Sequence, residues 1–519
     1  MTRLSKIPFH PLLLALYPTL ALYTYNIDEV SSSTIWRPLF ISVAMAILLF
    51  SVLCLISRNR HKAALLTSII LLVFFSYGRI YDYLKTTPLG TMNIVRHRYL
   101  VLFLCVLLAL GSWLVLKYVR DWKPVTGIFN FIAIVMVLLP GIQIGSYQIK
   151  TSSSELAGAK WTPSTSLVSN AQPENKPDVY YIILDSYTRA DVLKTELDYD
   201  NTDFIRQIER LGFYVADCSR SNYNSTKTSM ITSLNMSYLP ELYAEAATQG
   251  ISESDVWTLI SSNTTRINLE KLGYKFVAFA TSYKWSTIRD ADLFLSRDRN
   301  AYGVQFITPF EQMLVDSTAL SIYSDYQRKI TGEKFFGGSH PLANYIGEEE
   351  FILYQLPKIA EISDPTFTYA HINITHKPYV FSPNGYLVYA DEISTDVENN
   401  RHFPEGYIYA IQYINAQMLT IIQEILAKSS SPPIIIIQGD HGYWKEGYPY
   451  FSNISPILNA YFIPGMQTDD YYPTISPINT FRLIFNEYFG GQYKLLPDES
   501  YNISDVNTPL PEFYPDCRK

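Results

Sequence analysis

The chain has 519 residues, and its 41 basic and 48 acidic side chains give it a net charge of −7 at pH 7. No stripe of Lys and Arg accompanies the aromatic residues, so the sequence is not that of a nucleic-acid-binding protein. Its hydrophobicity is uneven: long apolar runs fill residues 1–147, whereas the remainder is polar and rich in Tyr. One structural class therefore cannot describe both parts of the chain.

The first part contains five long apolar stretches, at residues 8–25, 35–56, 63–83, 99–119 and 125–144. Each approaches the roughly 20 residues that an α-helix needs to cross a bilayer. We therefore predict a membrane domain of five transmembrane helices at 1–147. A cleaved signal peptide is the alternative for the first stretch, but no convincing small-residue cleavage site follows it, and four more stretches do.

Basic residues in the short loops predict the orientation of these spans. They precede the first span and separate the second span from the third and the fourth from the fifth, which places those segments in the cytoplasm. An odd number of spans then places the large C-terminal part outside. One loop disagrees: Lys85, Arg96 and Arg98 fall on the outer side, where they would face lipid headgroups or the polar domain.

Residues 148–176 are rich in Ser, Thr, Pro and Ala without periodicity, which is typical of an extended linker. We expect a folded catalytic domain at 177–490 and a C-terminal tail at 491–519. Short apolar runs within the domain predict strands at 178–184, 274–280, 366–372, 433–439 and 459–465. Helical patterns lie between them, for example at 202–212, where Asn201 or Thr202 could cap the helix, and from Gly406 onward. This alternation predicts an α/β domain with a mostly parallel sheet covered by helices on both faces.

Two of the four cysteines, Cys54 and Cys105, lie in apolar spans and are most simply packing residues. Cys218 and Cys517 belong to the outer part, where oxidation is permitted. A bridge between them requires a fold that returns the C-terminus to Cys218, so the sequence leaves their pairing open.

In parallel sheets, ligands collect beyond the carboxyl ends of the strands, and acidic residues follow two of the predicted strands. Asp440 and His441 lie between Gly439 and Gly442, which let the backbone turn tightly. A carboxylate beside an imidazole suits a metal with oxygen and nitrogen ligands. The alternative is an ordinary turn in which Asp440 caps the next segment. Asp185 has the same two interpretations, as a helix cap or as a metal ligand.

Two histidines follow a middle strand in the sequence HINITHKPYVF, at His371 and His376. Imidazoles at this place could contact a leaving group, a phosphate or a second metal. The alternative is a buried His371 that alternates inward on its strand beside an exposed His376.

The order of these features resembles the alkaline phosphatase superfamily: a strand followed by Asp185, a hydroxyl-rich cluster at 223–233, an H-x4-H-x-P stretch, and a late strand followed by GDHG. The sulfatase-like membrane enzymes are the most similar branch. These are the lipoteichoic acid synthases and phosphoethanolamine transferases, which also carry about five N-terminal spans and an outer catalytic domain. The resemblance covers nearly the whole chain, and its motifs are specific only in combination.

The resemblance implies roles for particular residues. The family's nucleophile is a Thr followed three residues later by a Ser at a helix N-terminus, and Thr226 and Ser229 match it. Ser229, His371 and His376 are then expected to face the substrate, with His376 contacting the transferred phosphate. The expected metal ligands are Asp185, Thr226, Asp440 and His441. We expect one divalent metal, Zn, Mn or Mg, and a second metal only if His371 and His376 assist.

The sequence also departs from related patterns. Where arylsulfatases carry a modifiable Cys or Ser in C/S-x-P-S-R, this chain has Thr226, Lys227, Thr228, Ser229 and Met230. Sulfate-ester hydrolysis is therefore the less favoured chemistry. The additional Asp and His ligands of two-zinc alkaline phosphatases have no secure match either.

The resemblance implies a membrane-anchored transferase that moves a phosphoethanolamine or phosphoglycerol group from a phospholipid donor to an envelope lipid or glycan, through a covalent phospho-Thr226 intermediate. The catalytic domain would be extracytoplasmic in a multi-pass protein of the cell membrane. Two alternatives remain open. One is a phosphodiesterase, phosphatase or sulfatase that uses the same site with water as acceptor. The other is a catalytically silent membrane protein whose outer domain binds partners.

Overall fold

The structure is a computed structural model. It describes residues 6–27, 30, 32–87, 96–118, 121–158, 161–163, 176–281, 286–297, 308–331, 341–385, 404–443 and 455–511. The chain divides into two compact units. The first contains residues 1–151 and 298–344, and the second contains residues 152–297 and 345–519.

The first unit is built of α-helices. It contains α1 (His10–Tyr25), α2 (Trp36–Ser57), α3 (Arg60–Thr86), α4 (His97–Tyr118), most of α5 (Trp122–Gly158), α11 (Pro309–Ser317) and α12 (Ser321–Thr331). Four of the described helices, α2 to α5, are long and apolar enough to cross a membrane. The stretch predicted as the first span forms α1, which has 16 residues and contains Pro18. At 1.5 Å per residue α1 is about 24 Å long, shorter than a hydrocarbon core of about 30 Å, so its crossing stays a prediction.

The second unit is an α/β domain. Its main sheet contains seven described strands: β1 (Val179–Leu184), β2 (Tyr214–Val215), β3 (Lys275–Phe279), β4 (Leu293–Leu295), β5 (Thr366–Ile372), β6 (Ile434–Gly439) and β7 (Asn459–Phe462). Their order across the sheet is β2-β7-β6-β1-β5-β3-β4. The strands β6, β1, β5, β3 and β4 are parallel, whereas β7 and β2 are antiparallel to their neighbours.

The remaining helices surround this sheet. They are α6 (Ala190–Leu197), α7 (Thr202–Arg210), α8 (Thr226–Asn235), α9 (Leu239–Thr248), α10 (Thr264–Lys271), α13 (Pro341–Gln355), α14 (Glu405–Lys428) and α15 (Pro477–Phe489). Every residue of β1, β5 and β6 is buried, which explains why these strands are continuous apolar runs rather than alternating ones. The predicted fold class, a multi-helix membrane part followed by a mostly parallel α/β sheet, is confirmed.

The five predicted strands all form, as β1, β3, β5, β6 and β7. One local detail differs from what the sequence predicts. Asn201 occupies the N-cap position of α7, but its side chain makes no capping hydrogen bond. Its amide instead donates to the hydroxyl of Tyr187 at 2.9 Å and accepts from Asn415 at 2.8 Å. The side chain of Asn201 therefore belongs to a buried hydrogen-bond network with Tyr187 and Asn415, instead of capping α7.

The predicted domain boundaries stay predictions, and three structural features lie across them. The helix α5 continues to Gly158, within the segment predicted as a linker. Residues 298–344 are grouped with the membrane helices, although their sequence position lies within the predicted catalytic domain. Part of the predicted C-terminal tail is ordered as the two-stranded sheet β8 (Tyr501–Asn502) and β9 (Asp505–Pro509). Cys218 forms a disulfide. Cys517, the cysteine whose pairing with Cys218 the sequence leaves open, lies outside the described residues.

Candidate active site

The strand register brings two acidic residues together. Leu184 at the end of β1 pairs with Gly439 at the end of β6 on one side and with Ile372 of β5 on the other. Asp185 and Asp440 each follow the last residue of their strands. Because the strands are parallel, both carboxylates emerge at the same edge of the sheet. Both residues are buried, with exposed fractions of 1% and 0%.

The loop after β1 fixes these carboxylates through Ser186. Its backbone has a φ of 63°, in the left-handed region. This conformation is uncommon for a residue other than glycine and tends to mark sites where the surrounding structure imposes it. The Ser186 N–H donates to Asp440 Oδ1 at 2.9 Å, and its hydroxyl donates to Asp185 Oδ1 at 3.0 Å. The Asp185 N–H in turn donates to the Ile372 carbonyl at 2.9 Å.

Gly439 allows the two strands and the loop to approach closely. A Cβ atom on Gly439 would lie 2.4 Å from the carbonyl oxygen of Tyr187. That distance is far inside van der Waals contact, and the oxygen belongs to the backbone, so a side chain here would displace the loop. The sequence predicts a tight turn at Gly439, whereas the structure shows that the glycine permits this close approach of the backbone.

His441 and Thr226 complete the cluster. His441 Nε2 lies 3.4 Å from Asp440 Oδ2 and 3.9 Å from Asp185 Oδ1. On its open side, the same nitrogen lies 3.1 Å from Thr226 Oγ1. Nδ1 of the ring lies 2.8 Å from the carbonyl oxygen of Gly442, which orients the imidazole. The four residues predicted as metal ligands are therefore adjacent in space.

These residues fit a divalent cation. Asp185, Asp440 and His441 each offer a ligand atom, and these atoms lie within 4.8 Å of one another. No hydrogen bond from the described residues reaches the buried Asp440 Oδ2. No Lys or Arg of the described ranges pairs with either carboxylate. Two buried carboxylates without a fixed positive charge are costly, and a bound cation would remove that cost.

The ionisation of the cluster reflects the same crowding. Burial raises the pKa of Asp440, and the negative charge of Asp185 raises it further. Burial alone would also raise the pKa of Asp185, but the nearby histidines hold it below the usual value. Burial opposes protonation of His441, yet the two carboxylates outweigh it and raise its pKa. The cluster thus attracts positive charge.

His371 lies beneath the cluster rather than on its open side. It is 0% exposed, and its Nε2 lies 3.2 Å from Asp185 Oδ2. Asp185 raises the pKa of the His371 imidazole, although burial opposes this. The ring is therefore buried on its strand, as the alternative interpretation expected, and it also contacts a predicted metal ligand. Its predicted contact with substrate stays a prediction.

His376 lies in the loop after β5 and is partly exposed. Its Nδ1 lies 2.7 Å from the carbonyl oxygen of Lys377, and its charged form lowers the pKa of Asp185. Its backbone N–H donates to the carbonyl of Asn373 at 2.9 Å. Asn373 is held by the buried Glu349, which accepts from both its backbone N–H, at 2.9 Å, and its side-chain amide, at 3.0 Å. Helix α13 therefore positions this loop, a connection that local sequence patterns did not reveal.

The hydroxyl cluster separates into distinct roles around the start of α8. Thr226 is the first residue of the helix, and the N-cap residue Ser225 makes no side-chain capping bond. Uncapped N–H groups at a helix N-terminus favour a phosphoryl oxygen. The Ser225 hydroxyl instead lies 3.0 Å from that of Thr228. The Ser229 hydroxyl is buried and donates to the Tyr223 carbonyl at 2.8 Å, so it braces the loop that leads into the helix.

The C-terminal segment supports the same loop. The Tyr501 N–H donates to the carbonyl of Asn222 at 2.9 Å, and the hydroxyl of Ser500 donates to the carbonyl of Ser221 at 2.7 Å. Asn222 donates through its side-chain amide to the Glu499 carbonyl at 2.9 Å. No local sequence pattern predicts a role for these residues, because only a fold that returns the chain to this loop creates the contacts.

No protein-family model and no curated protein matches the sequence. Among solved structures, the C-terminal periplasmic domain of EcEptC from Escherichia coli, in complex with Zn, is similar at 12% identity and a TM-score of 0.42, over 66% of this chain and 95% of that chain. The integral membrane phosphoethanolamine transferase EptA from Neisseria meningitidis matches at 12% identity and a TM-score of 0.39, over 92% of this chain and 94% of that chain. The lipoteichoic acid synthase LtaP from Listeria monocytogenes matches at 13% identity and a TM-score of 0.35, over 64% of this chain and 77% of that chain.

These proteins are of the kind that the sequence motifs resemble. Identities of 12% to 13% and TM-scores of 0.35 to 0.42 describe a distant likeness. The functional proposal below therefore rests on the geometry of the site.

Proposed function

We propose that this chain is a membrane-anchored, metal-dependent phosphotransferase that uses Thr226 as its nucleophile. The observation that supports this most directly is the position of the Thr226 hydroxyl. It lies at the first residue of α8 and 3.1 Å from His441 Nε2, beside the two buried carboxylates. A hydroxyl between a cation site and a helix N-terminus is arranged for nucleophilic attack on a phosphorus atom.

Asp185, Asp440 and His441 would hold the metal, with Thr226 next to it. A divalent cation bound there supplies positive charge that lowers the pKa of the Thr226 hydroxyl and offsets charge on a phosphoryl oxygen. The protein's own groups would bind and orient the substrate. The N–H groups that open α8 would orient the phosphoryl group, and His376, on the loop after β5, would contact it.

The proposed reaction has two balanced halves. Thr226 Oγ1 gives up its proton as it bonds to the phosphorus of a phospholipid, and the bond from phosphorus to the diacylglycerol oxygen breaks as that oxygen takes up a proton. The second half reverses these roles with an acceptor hydroxyl, which loses its proton and releases Thr226. We propose phosphoethanolamine or phosphoglycerol as the group, and an envelope lipid or glycan as the acceptor. The four helices long and apolar enough to cross a membrane support this proposal, because a phospholipid donor would lie in the same membrane.

The experiment that tests this proposal is intact-mass analysis of the full-length protein after incubation with phosphatidylethanolamine or phosphatidylglycerol and a divalent metal. We expect a phosphoethanolamine or phosphoglycerol adduct on Thr226, and none in the Thr226→Ala variant. Thr420→Ala is the matched control, because Thr420 is an exposed threonine on α14 that does not belong to the cluster. An adduct that persists in Thr226→Ala, or full turnover by that variant, would exclude Thr226 as the nucleophile.

The same incubation separates a transferase from a hydrolase. With water as the acceptor, free phosphoethanolamine or glycerol phosphate accumulates from the labelled lipid. With a lipid or glycan acceptor, the label moves into a second lipid or glycan product. We expect the second outcome.

A further inference from the structure

Residues 308–331 form two short helices within the membrane unit, and we call them the outer hairpin. It consists of α11, α12 and the turn at residues 318–320. It begins at a capping box in which Thr308 and Glu311 bond each other's backbone N–H groups. The sequence analysis assigned this segment to the catalytic domain. In the structure it is grouped with residues 1–151.

The outer hairpin packs closely on α3. A Cβ atom on Gly78 would lie 1.9 Å from the carbonyl oxygen of Asp316, at the end of α11. In the turn that follows, the Ala319 N–H donates to the Phe74 carbonyl of α3 at 2.9 Å. A glycine inside a long apolar helix thus lets the backbone of the hairpin meet the backbone of the helix.

The contact with α3 locates the hairpin relative to the membrane. At 1.5 Å per residue, the 27 residues of α3 extend about 40 Å, about 10 Å more than the hydrocarbon core. Gly78 is about 12 Å from the Thr86 end of α3, and Phe74 is about 18 Å from it. With Arg60 at the inner boundary of the hydrocarbon, Gly78 lies near its outer boundary. The turn of the hairpin therefore lies at the level where lipid headgroups meet hydrocarbon.

Three other helices hold the outer hairpin at this level. Glu311 of α11 forms an ion pair with Arg37 at the start of α2. Asp325 of α12 lies 2.9 Å from His97 Nε2 at the start of α4. The ring of Phe310 packs edge-on against Tyr23 near the end of α1, with 6.5 Å between ring centroids. By the predicted topology, all of these helix ends lie on the outer side of the membrane.

Residues 320–326, at the start of α12, have a polarity opposite to that of a helix in water. Ser321 and Ser324 point inward, with exposed fractions of 8% and 2%. Leu320, Tyr323 and Tyr326 are spaced three residues apart, which places them along one side, and their exposed fractions are 38%, 50% and 63%. A water-facing helix would bury the apolar set and expose the serines. Tyrosine is also a residue that membrane proteins concentrate at the interface between lipid and water.

We propose that the outer hairpin is a lipid-contacting element, with Leu320, Tyr323 and Tyr326 inserted into the outer interfacial layer of the bilayer. The occupant of this face is phospholipid. The packing on α3, the depth of Gly78 and the reversed polarity of α12 each support this assignment. A segment between parts of the α/β domain in sequence thus forms part of the membrane anchor. The proposal does not depend on the identity of the catalytic reaction.

The test uses nitroxide spin labels on the full-length protein in vesicles of phosphatidylethanolamine and phosphatidylglycerol. The background carries Cys54→Ser and Cys105→Ser, because these two cysteines are free. Single labels are placed by Tyr323→Cys and Tyr326→Cys. Tyr354→Cys is the matched control, because Tyr354 of α13 is as exposed as Tyr326, at 66% against 63%, but belongs to the α/β unit. The unsubstituted background shows any label that attaches elsewhere.

Collision rates with oxygen, which enters lipid, and with a water-soluble nickel chelate distinguish the two environments. We expect labels at 323 and 326 to meet the nickel chelate several-fold less often, relative to oxygen, than the label at 354. Equal ratios at all three positions would show that the hairpin faces water and would overturn the proposal. Exposed tyrosines tolerate labelling, and an unchanged unfolding temperature of each labelled protein excludes misfolding as the cause.

Discussion

Asp440→Asn is expected to raise the stability of the folded protein against unfolding in the absence of metal, and to abolish metal-dependent activity. The substitution removes one of two buried carboxylates whose ligand atoms lie within 4.8 Å of each other. The contact with the Ser186 N–H survives, because the asparagine carbonyl oxygen accepts the same hydrogen bond that Asp440 Oδ1 accepts now. The change therefore isolates the charge from the shape of the side chain.

The magnitude follows from Coulomb's law. Two like charges within 4.8 Å of each other repel by at least about 3 kcal/mol at an effective dielectric constant of about 20. His371 and His441 offset part of this repulsion, since both carry a raised pKa. We therefore expect the metal-free variant to be more stable than the parent by about 1 to 3 kcal/mol. Metal affinity should fall by more than tenfold, with loss of adduct formation on Thr226.

The assay is thermal unfolding of the full-length protein in detergent at pH 8, with chelator and then with added Zn²⁺ or Mn²⁺. Without metal, Asp440→Asn should unfold at the higher temperature. With metal, the parent should gain stability by mass action and the variant should not, so the order reverses. Asp364→Asn is the control, because Asp364 is exposed and lies outside the cluster. If the variant is less stable than the parent without metal, or both gain equally with metal, the carboxylate pair is not a cation site.

Two further predictions concern the support of the site. Gly439→Ala would place its Cβ 2.4 Å from the Tyr187 carbonyl oxygen, which would shift Asp440 by several tenths of an ångström and should lower turnover about 100-fold. The control Gly145→Ala places its Cβ in open space and should leave turnover unchanged. Equal turnover rates for both variants would contradict the importance of the close approach at Gly439. Burial raises the pKa of Glu349 from 4.5 to about 7, so this carboxyl costs stability as pH rises through that window. Relative to Glu349→Gln, the parent should lose about 3 kcal/mol between pH 4.5 and 7 in denaturant unfolding, and a constant difference would refute the buried-carboxyl account.

The central sheet and its acidic edge were predictable because their signals are local. A run such as IIIIQG is fully apolar because β6 is buried on both faces. An acidic residue directly after such a run follows the end of a strand and therefore lies at the carboxyl edge of the sheet. The parallel register then brings Asp185 and Asp440 together whatever the intervening loops do.

The supporting contacts could not be predicted, because they join residues that are far apart in sequence. Glu349 bonds Asn373 from a helix, Tyr501 reaches Asn222 from near the C-terminus, and Gly78 accommodates Asp316 across more than half of the first unit's sequence span. The preference of Asn for helix N-caps gives a wrong prediction at Asn201, because its side chain instead bonds Tyr187 and Asn415. Periodicity alone also does not predict a lipid-facing side of α12.

The cluster is more informative about function than any of its residues singly. A core selected for stability alone would not bury two carboxylates at adjacent strand ends, since replacing such charges by apolar groups usually costs nothing or helps. Here the backbone N–H of Ser186 and the imidazole of His371 hold both carboxylates in place. They do so without supplying a permanent positive charge. This arrangement is stable only with the rigid support of fully buried strands, and its electrostatic cost is offset when a cation binds. A cation held by these residues would lie beside the hydroxyl of Thr226, which is 3.1 Å from His441 Nε2. This position is why we propose Thr226 as the nucleophile rather than its more buried neighbours.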